Sequence, residues 1–165
     1  MKKQVDSHPV EPCKVFGFFR VQIEDPKTGK IVGDSGWRKN RITNTGFQHY
    51  IVELMVDTTG SSRVTHAALG SGTEPGEAGT SLNGEHVVRQ TVSAEESNSK
   101  TVRFTATFNS GLGFVTDTAT IQNVGLFATS TQGAGSIFCG QTYDQSQIQT
   151  NQNVNVTYEI QFSSS

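Results

Sequence analysis

The sequence predicts a mainly β fold: a jelly-roll-like β-sandwich of about eight strands, with one short helix and an extended N-terminal arm. Composition is the first reason. Of 165 residues, 33% are hydrophobic and 17% charged, and Gly, Ser, Thr, Asn and Gln fill the gap. That mixture suits short strands joined by polar turns and lacks the Ala, Leu, Glu and Lys excess of helical bundles. Strict alternation of apolar and polar residues is the second reason, and turn residues between the alternating runs are the third. The length fits one domain, read here as residues 14–165 behind an arm at 1–13.

The arm contains Pro9 and Pro12, mixed charges and little apolar pattern, as expected of a segment that gains order by lying on something else. Lys14 to Glu24 reads as a strand, with Val15, Phe19, Val21 and Ile23 on one face and Phe16, Phe18, Arg20 and Gln22 on the other. Asp25-Pro26-Lys27-Thr28-Gly29-Lys30 is a turn, since Pro presets φ and Gly supplies a positive one. Ile31 to Lys39 then returns as one partner strand. Asn44-Thr45 is expected to cap a helix, whose Phe47, Tyr50, Ile51, Leu54 and Met55 recur at helical spacing and read as a core-packing stripe before Gly60.

Val64 to Leu69 is a short strand, followed by a polar Gly-rich loop from Gly70 to Asn83. Glu85 to Ser93 and Lys100 to Phe108 read as a strand pair around a charged loop at Ala94 to Ser99. Ile121 to Ala128, Ser136 to Tyr143 and Gln152 to Phe162 complete the set. The last alternates most cleanly, with Val154, Val156, Tyr158, Ile160 and Phe162 on one side.

No motif carries catalytic or cofactor chemistry, so no enzyme and no cofactor is expected. His8, His49, His66 and His86 form no local metal-ligand spacing. Gly70 to Gly76 lacks the Gly-Lys-Ser/Thr ending and the following helix that a phosphate loop needs. Glu95 and Glu96 fall in a polar context without an apolar pocket to raise a carboxyl pKa. Cys13 and Cys139 make no ligand motif and read as idle thiols, with a disulfide between them left open.

A net charge of −2 argues against nucleic acid, and Arg38, Lys39 and Arg41 read as a solvated strand edge. No apolar run approaches the roughly 18 residues of a membrane span. The polar residues after Met1-Lys2-Lys3 predict no signal peptide.

Three stretches together resemble a loose group of tailed-phage virion proteins of tail, fibre or head-surface type. They are the run from Lys14 through Ser35-Gly36-Trp37-Arg38-Lys39-Asn40-Arg41-Ile42-Thr43-Asn44-Thr45, the segment Ala68-Leu69-Gly70-Ser71-Gly72-Thr73-Glu74-Pro75, and Ile121-Gln122-Asn123-Val124-Gly125-Leu126-Phe127 with the closing strand. The resemblance implies a β-rich component, made in the host cytoplasm and assembled on the virion, that works with its own copies. It carries over no catalytic residue.

Two functions follow as expectations. One is a capsid decoration or cement protein, expected to be a trimer, contacting virion proteins such as the major capsid protein. The other is a tail, baseplate or fibre component, with a possible glycan platform drawn from Trp37, Phe138 and Tyr143. Candidate contact residues are Pro9, Pro12, Trp37, Arg38, Lys39, Gly72, Glu74 and Pro75. Trp37 is expected to be buried where sheet meets helix.

Overall fold

Ten antiparallel strands build the chain, a mainly β architecture, in the computed structural model, which describes residues 13–55, 62–86, 88–112 and 116–164. Pro9 and Pro12, with the arm, lie outside the described residues, as do Gly60 and the side chain of Cys13.

β1 (Cys13–Asp25) is long because its alternation is unbroken. It pairs along its length with β10 (Asn153–Ser164), from Cys13 opposite Ser164 to Glu24 opposite Asn153. Its other edge is shared by β2 (Lys30–Asp34) and β3 (Arg38–Ile42). The expected single return strand is therefore two. Gly36, at φ 64°, takes a conformation that other L-residues avoid, and Ser35-Gly36-Trp37 breaks the ladder there. At the preceding turn Asp25 accepts from Lys27 N and Thr28 Oγ1, each at 2.9 Å, and Gly29 supplies the positive φ.

β4 (His66–Gly70), β5 (Gln90–Thr91), β6 (Ser93–Asn98), β7 (Thr101–Phe108), β8 (Ala119–Phe127) and β9 (Ile137–Ile148) complete the sheet. Its order is β5-β4-β8-β9-β3-β1-β10-β7-β6, with β2 beside β1. Two corners bend it. β3 pairs with β1 through Arg38 to Asn40 and with β9 through Arg41 and Ile42. At the other corner β5 and β6 are the two ends of the sheet, yet only Val92 separates them in the chain. Val92 N donates to Thr65 O on the β4 side at 2.9 Å, and Ser93 already stands opposite Thr105 of β7. The result is a nearly closed, barrel-like sheet.

Ala94 to Asn98 thus belong to a strand, not to the expected charged loop. Solvated residues on both faces hide such a strand from periodicity; its ladder with β7 and the Glu95–Arg103 ion pair at 3.3 Å hold it.

Inward side chains of β1 and β10 meet those of β8 and β9. Phe19 packs against Tyr158 and Tyr143 with ring centroids 5.6 and 6.1 Å apart. Tyr158, fully buried, donates its hydroxyl to Val124 O at 2.9 Å and so ties the two walls together. Cys139 is a free, buried thiol whose pKa burial pushes well up, which keeps it protonated and inert.

The loop after β4 folds down on the outer face of β8 and β9. Buried Asn123 shares its amide hydrogens among the carbonyls of Gly72, Thr73 and Asn83 at 2.9 to 3.1 Å. Beneath it Ala68, Leu82, Phe127 and Ile137 form a second small core. Arg89 lies over the Phe127 ring at 3.6 Å and forms a buried ion pair with Glu85. Replacing Asn123 by Ala removes one of the donors to each of three loop carbonyls. It should cost about 1–3 kcal/mol in denaturant unfolding and speed amide exchange over residues 71–84. Unchanged stability and exchange would show that the side chain does not hold the loop.

Candidate interaction surface

The helix is built in three contiguous parts, α-helical at Asn44–Gly46, π-helical at Phe47–Val52 and α-helical again at Glu53–Met55. Its cap is Thr43, one residue ahead of the expected Asn44-Thr45. The Thr43 Oγ1 accepts from Gly46 N at 3.0 Å and donates to Ile137 O at 2.8 Å, so one hydroxyl both starts the helix and fastens it to β9. Next to it Gly46 leaves no room for a side chain, which would run into the Phe138 carbonyl.

The stripe expected to pack in the core does so only at Tyr50 and in part at Ile51. Tyr50 stacks on Phe138 with centroids 5.1 Å apart and donates its hydroxyl to Ser136 O. Burial pushes that hydroxyl's pKa up to about 12, so it stays a donor at neutral pH. Tyr50 sits inside the π segment, which closes with Glu53 N donating to Gln48 O five residues back. This wider turn shifts the helical phase, and the residues after it no longer stack beneath Tyr50. Val52 is 56%, Leu54 53% and Met55 81% exposed; Phe47 is exposed as well. His49 is held by Glu53 at 2.9 Å and adds nothing to this apolar face.

Beside the helix lies a groove of about 450 Å³, lined chiefly by Ile51, Leu54, Val64, Val102, Phe104 and Phe162, with Ser62 and Arg63 as its polar members. A smaller hollow of about 240 Å³ lies between the first residue of the π turn, Phe47, and Phe16 and Phe18 of β1, with Lys39 and Asn40. The Asn40 amide is buried without a hydrogen-bond partner among the described residues. Exposed Phe162 belongs to the groove on the inner face of β10, whereas exposed Phe16, opposite Gln161, lies on the outer face of β1 beside the smaller hollow. The groove, with the exposed helix residues beside it, is apolar surface of the kind that marks a contact site.

The residues singled out from sequence fall elsewhere. Trp37 is 48% exposed in the β2–β3 link, contrary to the expected burial, because the break at Gly36 turns it off the ladder. Arg38 pairs with Asp144 at 3.0 Å and donates to Ser35 O, while Lys39 is exposed beside the smaller hollow. Gly72 lies against Asn83, Glu74 pairs with Arg41 at 3.4 Å, and Pro75 is buried against Gly140. The three loop positions are therefore engaged within the chain. Phe138 and Tyr143, two of the three aromatics considered for a sugar platform, are buried.

Sequence reasoning found the apolar helix residues but assigned them to the core. The signal for exposure was there: Tyr50, Ile51, Val52, Leu54 and Met55 make an apolar arc too wide for one buried face. Among the described residues no group of three or more His, Cys, Asp or Glu is placed to hold a metal ion.

No family model, curated protein or solved structure matches this chain.

An open apolar groove predicts that the folded protein enhances the fluorescence of anilinonaphthalene sulfonate at neutral pH. Leu54→Glu should abolish most of that enhancement while changing stability by no more than about 0.5 kcal/mol. Undiminished fluorescence in this variant would place the dye, and the accessible apolar surface, elsewhere.

Proposed function

We propose that this chain is a non-enzymatic structural protein of a tailed-phage virion, acting as a capsid decoration or cement protein that stabilises the head lattice. The observation that carries this reading is the exposed apolar face of the helix and groove, on a fold whose long Gly70–Asn83 loop is fastened to its own sheet. Such a face suits lasting contact with protein, and repetition over a lattice makes each modest contact count. The resemblance of the three sequence stretches to virion proteins supplies the setting. The partners are copies of the chain itself, as a trimer, and virion proteins such as the major capsid protein. The location is the particle surface.

A jelly-roll-like sandwich is the finer description proposed for the barrel-like sheet. Its support is the pair of corners at β3 and at Val92, each passing the chain between two facing walls. A tail, baseplate or fibre role is the second reading, favoured by one observation: Trp37 stands half out of the surface beside the Arg38–Asp144 pair, an arrangement suited to stacking against a sugar.

Immunogold electron microscopy of intact particles tests the choice. Label distributed over the head is the expected result, and label confined to the tail would overturn the decoration role in favour of the fibre or baseplate one. Deleting residues 1–13 should leave the fold intact and weaken attachment to particles. Unchanged attachment would remove the arm from the account.

A further inference from the structure

The inner face of the barrel continues past the core. On β10, Val154, Val156, Tyr158 and Ile160 are buried, but the next inward residue, Phe162, is exposed. On β7, Phe108 and Ala106 are buried, while Phe104 and Val102 are only partly covered. Opposite them on β6 stand Ala94 and Glu96, on the same side of the sheet. The groove is thus the mouth of the barrel, left partly open where the helix fails to cover it.

We propose that this mouth is where one copy of the chain docks on another, with the exposed Leu54 and Met55 of each copy entering the groove of the next. The proposal rests on the structural-protein reading above and names the surface through which copies meet.

Two features favour a second copy as the occupant, and a third argues against a small molecule. A protruding apolar ridge and an apolar groove lie side by side on one face, so the ridge of one copy meets the groove of the next head to tail, the kind of contact a closed trimer uses. Opposite charges flank the groove: Arg63 lines it, and Glu96, beyond its lining, stands on β6 across from Val102. Both are exposed, and neither has a salt-bridge partner among the described residues; the neighbouring Glu95 is already paired with Arg103. Docking of ridge into groove brings Arg63 of one copy towards Glu96 of the next, giving an apolar centre with a charged rim. Finally, a small apolar molecule filling about 450 Å³ would leave Val52 and Met55 in water. A protein surface covers both.

Sedimentation equilibrium of the full chain over a range of concentrations provides the test. The unaltered protein should self-associate, and Met55→Glu should weaken association by about tenfold or more. Arg63→Glu and Glu96→Arg should each weaken it by about fivefold, and the two together should restore it to within about threefold of the starting value. Both charges are exposed, so these reversals keep the fold, which circular dichroism verifies. A monomer at every concentration, an oligomer that none of the substitutions moves, or a double reversal no tighter than either single one would overturn the proposal. Head labelling together with an unmoved oligomer would sink the docking face and leave the virion role standing. Association through this face without any particle label would do the reverse.

Discussion

The pairing of β1 with β10 is the constraint on which the other elements depend. It joins the described start of the chain to its described end, and its inward residues Phe19, Val21, Val156 and Tyr158 form one wall of the core. β3 and β2 take their places on the free edge of β1, and β7 takes its place on the free edge of β10. Tyr158 reaches across to the Val124 carbonyl and sets the spacing to the opposite wall. Contacts this distant in sequence carry a loop-closure cost before they stabilise anything, a topology that favours slow folding.

The sheet curls until it is nearly closed, with β5 and β6 left as its ends, and its mouth remains to be covered. A ring of strands needs a plug where its inward face runs out, and the helix supplies only part of one. Tyr50 and Thr43 fix the helix to β9 through buried hydrogen bonds, whereas the π turn swings Val52, Leu54 and Met55 away from the interior. π turns concentrate at functional sites because they give up regular packing for a particular presentation of side chains. Here the presentation is apolar and outward. The opposite treatment of the long Gly70–Asn83 loop makes the contrast plain, since Asn123 and Pro75 hold it flat against the sheet.

Much of the strand pattern was legible in the sequence. β1, β7, β8 and β10 alternate clearly, and the Asp25-Pro26-Lys27-Thr28-Gly29 turn fixes the first hairpin by local chemistry alone. β6 was not legible, because all its residues are solvated and only its cross-strand partners make it a strand. The split between β2 and β3 was written in Gly36, but a single glycine in an extended run does not announce a corner. The helix was recognisable by spacing, yet spacing at the α period cannot reveal a π turn, and the core assignment of Leu54 and Met55 failed for that reason. Of the expected contact residues, Gly72, Glu74 and Pro75 are absorbed into intramolecular packing that depends on Asn123, Arg41 and Gly140. Such distant partners cannot be paired by reading along the chain.

The central claim is that the barrel mouth, with its half-seated helix, is the surface buried on assembly. Amide hydrogen exchange, compared between dilute and concentrated protein and again on particles, tests it most directly. The account predicts new protection in residues 44–55, 62–64 and 94–104, with the turn at 25–30 unchanged. Protection gained instead around Trp37 and the β1–β2 hairpin, with the mouth still exchanging freely, would contradict it.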